Sequence, residues 1–347
     1  MARSRTVFSL SLVLAIALIA VVGGVVGGRA TVAHSASSGG GGAAGAASGV
    51  KVDVIIRATS SEYWQSMIAG SEAAAKDYGV KVSSFGPTDE TDIAGEVQLI
   101  ENSVSRGVDA ILIAPSSSDG LNAAINDARK AGIKVITADT TVTATTEGHI
   151  GTNNTLAGTS AGQRMCELLT KQGVKTGQVL VESPIAGIEA NTQRDTGFRN
   201  GLAEKCPNIV SKLQSYNNND ISTAASQVND AISAHSDLVG VFADNNSSGV
   251  GAATAIKDNK AANKIPVVAF DSDPAENAAL KSGEIDALVL QNPWFLGYQG
   301  VVESAMAVQG RIPPASLDPG VAVADRDNIS SPEIKALLKP QTAKAKG

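Results

Sequence analysis

The sequence predicts an α/β protein of two similar lobes, each a doubly wound parallel sheet with helices on both faces. Three observations predict it. Short apolar runs alternate with longer amphipathic segments from about residue 50 onward, the signature of strand–helix–strand units and a parallel sheet. Two of those runs, Val135-Ile136-Thr137-Ala138-Asp139 and Val267-Val268-Ala269-Phe270-Asp271, are continuously hydrophobic and then stop on an aspartate. Strands covered by helices on both faces read this way, because neither side meets water. The two aspartates lie 132 positions apart and close comparable series of elements, so the same unit is used twice.

The elements follow in order. Val52 to Ile56 is a strand. The next helix begins near Ser61-Glu62 and places Trp64, Met67/Ile68, Ser71, Ala74/Ala75 and Tyr78 on one face at helical spacing. Gly79 stops it. Val80 to Phe85 is the second strand, Ile93 to Gly107 a helix with Val97, Ile100 and Val104 inward, and Ala110 to Ala114 the third strand. A turn at 115–119 leads to the helix Leu121 to Ala131, then to the strand ending on Asp139. His149 to Thr152 reads as a crossing segment, and Asn154 as the cap of a helix reaching Thr170. The second series has strands at 178–182, 209–214, 238–243, 267–271 and 285–290. Its helices are expected at 191–204, 222–234, 249–258, 275–282 and 296–309. Right-handed connection of such units gives one parallel sheet per series.

Composition narrows the function. Hydrophobic residues make up 43% and charged residues 18% of the 347 residues, enough for two globular cores. The net charge is −6, yet residues 1–50 contain three arginines and no acid, leaving 25 basic residues against 34 acidic ones beyond them. A body with that balance repels phosphate backbones, so no nucleic-acid partner is expected.

The first 34 residues read as a signal peptide or N-terminal anchor: Arg3 and Arg5, an uncharged apolar run from Val7 to Val26, and a small-residue cleavage site at Thr31-Val32-Ala33. The run approaches bilayer-spanning length, so an uncleaved tether is one of the two outcomes. Residues 35–49 are a Gly/Ser/Ala linker. The body is therefore expected outside the cytoplasm, periplasmic or on the outer face of the membrane. In that oxidising setting the only two cysteines, Cys166 and Cys206, are expected to form a structural disulfide. Residues 326–347, with Lys335, Lys339, Lys344 and Lys346, read as a loosely held tail.

Ligands on open α/β sheets bind outside the carboxyl ends of the strands. Two carboxylates offered there from separate parts of the chain would grip a hydroxylated molecule between two lobes. Both tryptophans, Trp64 and Trp294, also lie just beyond strand ends in a chain that is only 3% aromatic.

An ordered series of motifs adds to this. It runs Tyr63-Trp64, Asp77-Tyr78-Gly79, Ser105 to Pro115 (SRGVDAILIAP), Val135 to Asp139, Gly151-Thr152-Asn153-Asn154, and Arg194 with Gly197-Phe198. Phe242-Ala243-Asp244-Asn245, Val267 to Pro274 (VVAFDSDP), and Gln291 with Pro293 complete it. The series resembles the ribose-binding-protein group of type I periplasmic binding proteins, the sugar-binding components of ABC importers, over about residues 50–325. The resemblance implies a cleft between two lobes joined by a three-strand hinge. The N-terminal lobe would comprise 50–152 plus 292–312, and the C-terminal lobe 153–291 plus 313–325. It implies that Asp139 and Asp271 accept hydrogen bonds from sugar hydroxyls and that Arg194, Asn154, Asn245 and Gln291 complete a polar network. Tyr63 and Trp64 would cover an apolar sugar face. The expected partners are a sugar or sugar-like ligand and an ABC permease with its ATPase; the expected protein is a monomer without cofactors. A membrane-tethered sensor of the same fold is the alternative.

Three positions depart from the family pattern. Thr140 follows Asp139 where many members have arginine, and Asn217-Asn218-Asn219 fills a loop where some place an aromatic. Arg57 ends the first strand facing the expected cleft. Arg57 either replaces the missing guanidinium, meets an anionic ligand group, or pairs with Glu62 or another rim acid.

Enzymatic readings find little support. Gly158-Thr159-Ser160-Ala161-Gly162 matches the G-x-S-x-G of hydrolases, but Ser160 falls inside a helix rather than on a strand-to-helix elbow. Beyond the leader, His149 and His235 are the only histidines. No G-x-G-x-x-G follows the first strand, and no P-loop motif and no metal-ligand spacing occurs, so no cofactor is expected.

Overall fold

The first sheet runs in the order β2-β1-β3-β4-β5 and is parallel throughout. Its strands are β1 (Lys51–Ile55), β2 (Lys81–Phe85), β3 (Ala110–Ile113), β4 (Lys134–Ala138) and β5 (Gly148–Ile150). The structure, a computed structural model, describes residues 48–339 and 341–342; the leader, the linker up to residue 47, and Lys344 and Lys346 lie outside them. The second sheet has the order β11-β10-β9-β8-β6-β7. It comprises β6 (Gly177–Ser183), β7 (Ile209–Tyr216), β8 (Leu238–Ala243), β9 (Val267–Phe270), β10 (Ala287–Leu290) and β11 (Ala322–Ala324). With the antiparallel β11 set aside, both sheets read 2-1-3-4-5 in local numbering. In that winding the crevice opens at the carboxyl ends of the strands, beside the point where the order reverses.

Successive side chains of a strand face opposite ways, and each sheet is covered on both sides accordingly. Val52, Val54, Leu112 and Ile136 pack under α1 (Glu62–Tyr78) and α9 (Pro293–Val308). Ile55, Ile111, Ile113 and Val135 face α2 (Ile93–Arg106) and α3 (Asn122–Lys130). In the second lobe Val181, Phe242 and Phe270 meet α4 (Asn154–Lys171) and α5 (Glu189–Lys205). Val241, Ala269 and Leu288 meet α6 (Ile221–Ala234), α7 (Asn246–Asp258) and α8 (Pro274–Ser282). Strands β3 and β9 are buried along their whole length, as their unbroken apolar runs require.

Within the described residues the chain passes between sheets three times. It leaves β5 for α4, leaves β10 for α9, and returns from α9 to β11. Two of the crossings touch: Leu317 N–H donates to His149 O (2.9 Å) and Gly151 N–H to Leu317 O (3.0 Å).

Each lobe also carries an unusually close helix pair. A Cβ on Gly158 of α4 would strike the Arg194 carbonyl of α5, and one on Gly197 of α5 would strike the Thr155 carbonyl of α4; Gly162 and Gly201 extend the seam. In the first lobe Gly70 of α1 and Gly297 of α9 do the same. The glycines of the G-x-S-x-G segment thus seat a neighbouring helix, while Ser160 Oγ donates to Leu156 O of its own helix (3.0 Å). Further along the same pair, Cys166 and Cys206 form a disulfide with Cα atoms 5.8 Å apart.

Several boundaries differ from those expected. Residues 148–150 are a sheet strand rather than only a crossing segment, and α7 begins at Asn246, ahead of the expected start at Gly249. The cap of α4 is Asn153, whose side chain accepts from Leu156 N–H (3.1 Å), not Asn154. The tail expectation is corrected over its described part. Residues 332–338 form α10 (Pro332–Leu338), with Ile334 and Leu338 buried in the second lobe's core, and Arg326 pairs with Asp286 at 3.1 Å. Its start was written in the sequence as Ser331-Pro332-Glu333, a cap, a first-turn proline and a first-turn acid.

Candidate ligand-binding cleft

Asp139 and Asp271 occupy the same corner of their respective lobes. Each follows the last residue of its sheet's fourth strand, and each has a left-handed backbone, φ 64° and 77°. The amide of each donates to the neighbouring strand, Asp139 to Ile150 O (2.9 Å) and Asp271 to Val289 O (3.0 Å). A left-handed non-glycine residue costs about 1–2 kcal/mol, and aspartate tolerates it better than most. Such strain persists where the surroundings enforce it, characteristically at binding sites. The turn aims both carboxylates into a single cleft of about 390 Å³ between the lobes.

A chain of polar contacts joins them. Tyr63 OH donates to Asp139 Oδ1 (2.8 Å) and lies 3.5 Å from Gln291 Oε1. Gln291 Nε2 donates to Asp271 Oδ1 (2.6 Å). Burial, reinforced by the charges of Asp139 and Asp271, holds the Tyr63 phenol well above its usual range, so it remains a donor. Burial also raises the Asp271 carboxyl; Arg194 and Gln291 oppose this, and Asp139 and Glu90 add to it.

Arg57 and Arg194 are the two guanidinium groups of the cleft. Arg194, on α5, donates from Nε to Asn154 Oδ1 (2.8 Å) and from Nη1 to Asp244 O (2.9 Å), with its guanidinium 4.3 Å from the Phe270 ring centroid. The glycine seam between α4 and α5 is what allows Asn154 to reach it. Asn154 itself is buried and absent from the wall of this cleft, and it accepts from the Arg194 guanidinium that lines it. Arg57 donates from Nε to Pro115 O (3.0 Å) and from Nη2 to Thr140 Oγ1, and it pairs with Asp139 Oδ2 at 3.2 Å. The acid it pairs with is Asp139, not Glu62.

Eight of the nine expected site residues line the cleft: Arg57, Tyr63, Trp64, Asp139, Arg194, Asn245, Asp271 and Gln291. The aromatic pair divides its labour. Trp64 is almost fully buried, edge-to-face with Tyr63 (4.7 Å, 81°) and beneath the Arg57 guanidinium (5.3 Å); Tyr63 is the more exposed ring. Asn245 caps α7 by accepting from Ser248 N–H (3.1 Å), while its amide donates to Asn219 Oδ1 (2.9 Å). Trp294 is not in the cleft but stacks on Tyr298 in α9 (5.0 Å, 19°). Glu90, Asn191, Ser247 and Asp273, missed in the sequence, also line the cleft, as does Asn219 of the loop singled out above. Asp273 was findable as the residue before a helix-starting proline; Glu90 sits in a turn where no periodicity marks it.

The model of a periplasmic binding protein domain matches residues 52–312. The ribose import binding protein of Salmonella typhimurium is 26% identical over 260 residues, covering 75% of this chain and 85% of its own. Among solved structures, a carbohydrate transporter solute-binding protein from Agrobacterium radiobacter, in complex with D-arabinose, superposes with a TM-score of 0.80. It is 32% identical and covers 84% of this chain and 99% of its own. An ABC transporter solute-binding protein from Agrobacterium vitis, bound with α-D-tagatopyranose, gives a TM-score of 0.79 at 28% identity, covering 84% and 100%.

Proposed function

Because the chain belongs to the periplasmic binding protein family, whose domain spans residues 52–312, we propose that it is an exported solute receptor. It would bind one sugar or sugar-like molecule between its lobes and hand it to an ABC permease driven by an ATPase. The equivalent placement of Asp139 and Asp271, one per lobe and both facing one cleft, is the observation that carries this. Ionised acceptors make the stronger class of hydrogen bond, and hydroxyl groups are the donors they match.

In this proposal the ligand touches Asp139, Tyr63, Trp64 and Arg57 on the first lobe and Asp271, Arg194 and Asn245 on the second, with Gln291 at the crossing. The lobes, 50–152 with 292–312 and 153–291 with 313–325, hinge about the three crossing segments. The packing of α9 on the first sheet and the pairing of β11 with β10 support that division. Closure would expel water and leave an ill-matched ligand with buried, unpaired carboxylates, which is the source of specificity. No covalent step is involved. The receptor acts as a monomer, free outside the cytoplasm or tethered by an uncleaved leader.

Thermal unfolding of the purified protein against D-arabinose, D-tagatose, D-ribose, D-allose and D-fucose tests this. A ligand present at about 100 times its Kd stabilises the native state by about 2.7 kcal/mol, a shift of a few degrees. One or two sugars shifting the midpoint supports a sugar receptor; no shift with any of them sinks the proposal.

A further inference from the structure

The charge of the cleft is lopsided. Glu62, Glu90, Asp139, Asp271 and Asp273 line it, against Arg57 and Arg194. The two arginines differ: Arg57 is ion-paired with Asp139 and also bonds Thr140 and the Pro115 carbonyl, whereas Arg194 bonds only neutral acceptors, Asn154 and the Asp244 carbonyl. Glu90 differs from the other acids. It comes from the turn between β2 and α2, held in place by Thr91, which donates from its amide and hydroxyl to Asp89 Oδ1 (2.7 and 2.6 Å), and by the Asp92 cap of α2. Glu90 Oε1 accepts the Trp64 indole N–H at 2.6 Å. Glu90 Oε2 is in no hydrogen bond with the described residues, in a side chain that is half-buried at the cleft wall.

Resting on the sugar-receptor proposal, we infer that Glu90 is a third carboxylate acceptor of the cleft, which contacts the ligand through Oε2 and restricts it to hydroxyl-rich molecules without negative charge. Clamped between the Arg57 guanidinium and the Glu90 carboxylate, Trp64 has its ring plane fixed, so Oε2 has a fixed direction as well. A ligand hydroxyl donating there gains a charged acceptor. An anionic ligand meets five acidic side chains against two guanidinium groups, one of which, Arg57, is already paired with Asp139, and like charges brought together in a water-poor cleft repel strongly.

Two measurements on the full protein test this. The first is calorimetric affinity for whichever of the five sugars binds best, in wild type, Glu90→Gln and Glu90→Ala. The amide in Glu90→Gln retains an oxygen for the Trp64 N–H, so unliganded tryptophan emission should be unchanged while affinity falls about tenfold or more. Affinity of Glu90→Gln within twofold of wild type, with only Glu90→Ala impaired, would show that Glu90 merely positions Trp64 and overturns the contact. The second is the wild-type affinity for D-glucuronate and D-galacturonate, expected to be at least tenfold weaker than for the best neutral sugar. A uronate that binds as tightly overturns the charge selection. A wild type that binds none of these compounds removes the sugar proposal itself, and this inference with it.

Discussion

Arg57 and Asp139 form a buried ion pair: Nη2 lies 3.2 Å from Oδ2, and the two side chains are 8% and 6% exposed. Both groups end neighbouring regions of the first sheet's carboxyl edge, one after β1 and one after β4. Their pairing means that the two cleft aspartates, alike in backbone, are unlike in electrostatics. Asp139 has a full counter-charge and a phenol donor; Asp271 has a neutral amide donor, with Arg194 acting on it as a nearby charge.

Asp139→Ala should therefore damage the fold as well as the cleft. Removing one partner of a buried pair leaves an uncompensated charge, at a cost of about 3–5 kcal/mol. Chemical denaturation of the unliganded variant should show a loss of this order, and Arg57→Ala should show a similar one. Unchanged stability in both would mean the pair is solvated in solution.

Asp271→Asn should separate binding from folding. Burial favours the neutral form of this carboxyl, so an isosteric neutral side chain leaves unliganded stability at or above wild type. Affinity should fall by about 2 kcal/mol, roughly 30-fold. Since the ionised form is the better acceptor, wild-type affinity should decline on acidification, beginning above the ordinary aspartate range. Calorimetry across pH in wild type and variant checks both; an affinity equal to wild type in Asp271→Asn removes the residue from the site.

Much of this was legible in the sequence for physical reasons. Continuous apolar runs such as Ala110–Ala114 and Val267–Phe270 have one reading, buried parallel strands, and they fix the corners where Asp139 and Asp271 turn. What a one-dimensional pattern does not carry is which side chains meet across the fold. Asn154 looked like a cap and a cleft residue. The cap is Asn153 instead, and Asn154, on the helix face seated by the glycine seam, accepts from Arg194 without lining the cleft itself. Glu90 belongs to a turn without period, and only the packing of that turn over Trp64 brings it to the cleft. The partner of Arg57 depended on how β1 and β4 are spaced across β3, a tertiary fact. The C-terminal helix was missed because four scattered lysines suggested a solvated tail, and the two buried positions, Ile334 and Leu338, are too few to show a period.

The α4–α5 seam makes a sharp steric prediction. Gly158→Ala places a methyl group against the backbone carbonyl of Arg194, and backbone cannot yield as a side-chain end does. Overpacking of this kind costs about 1–3 kcal/mol. Because the carbonyl that must move belongs to Arg194 itself, sugar affinity should fall along with the melting temperature. Gly107→Ala, whose Cβ would meet nothing within 4 Å and whose cost comes only from its left-handed backbone (φ 62°), serves as the control that loses stability without losing affinity. Equal affinity in Gly158→Ala and wild type would detach the seam from the site.

Stability should fall as pH rises from about 4.5 to about 7. Burial raises the carboxyls of Glu96, Glu182 and Glu303 from 4.5 to about 7. Within that window the folded protein binds more protons at these sites than the unfolded chain does, so the slope of stability against pH is negative, levelling off above pH 7. His149, lowered from 6.5 by burial, pulls the other way as a single group. Glu303 makes no close hydrogen bond through either oxygen among the described residues, and Gln299 offsets its burial only in part, so Glu303→Gln should flatten the trend most simply. Melting temperatures at pH 5.5, 6.5 and 7.5 without ligand decide it: a steady rise over that range contradicts the assignment.

The disulfide should matter to stability and not to affinity. Cys166 and Cys206 are 40 positions apart, and closing a loop of that length removes about 4 kcal/mol of unfolded-chain entropy. Along α4, Cys166 lies 12 residues from Asn154, about 18 Å of helix, so the bridge holds the far end of the pair whose near end positions Arg194. Reduction, or a Cys166→Ser/Cys206→Ser double variant, should lower the melting temperature by several degrees and leave the sugar Kd within about twofold. The seam of glycines, which remains intact, is what keeps Asn154 and Arg194 in register. A large rise in Kd on reduction would show that the bridge, not the seam, sets the position of Arg194. Two titratable thiols in the denatured, unreduced protein would show that no bridge forms.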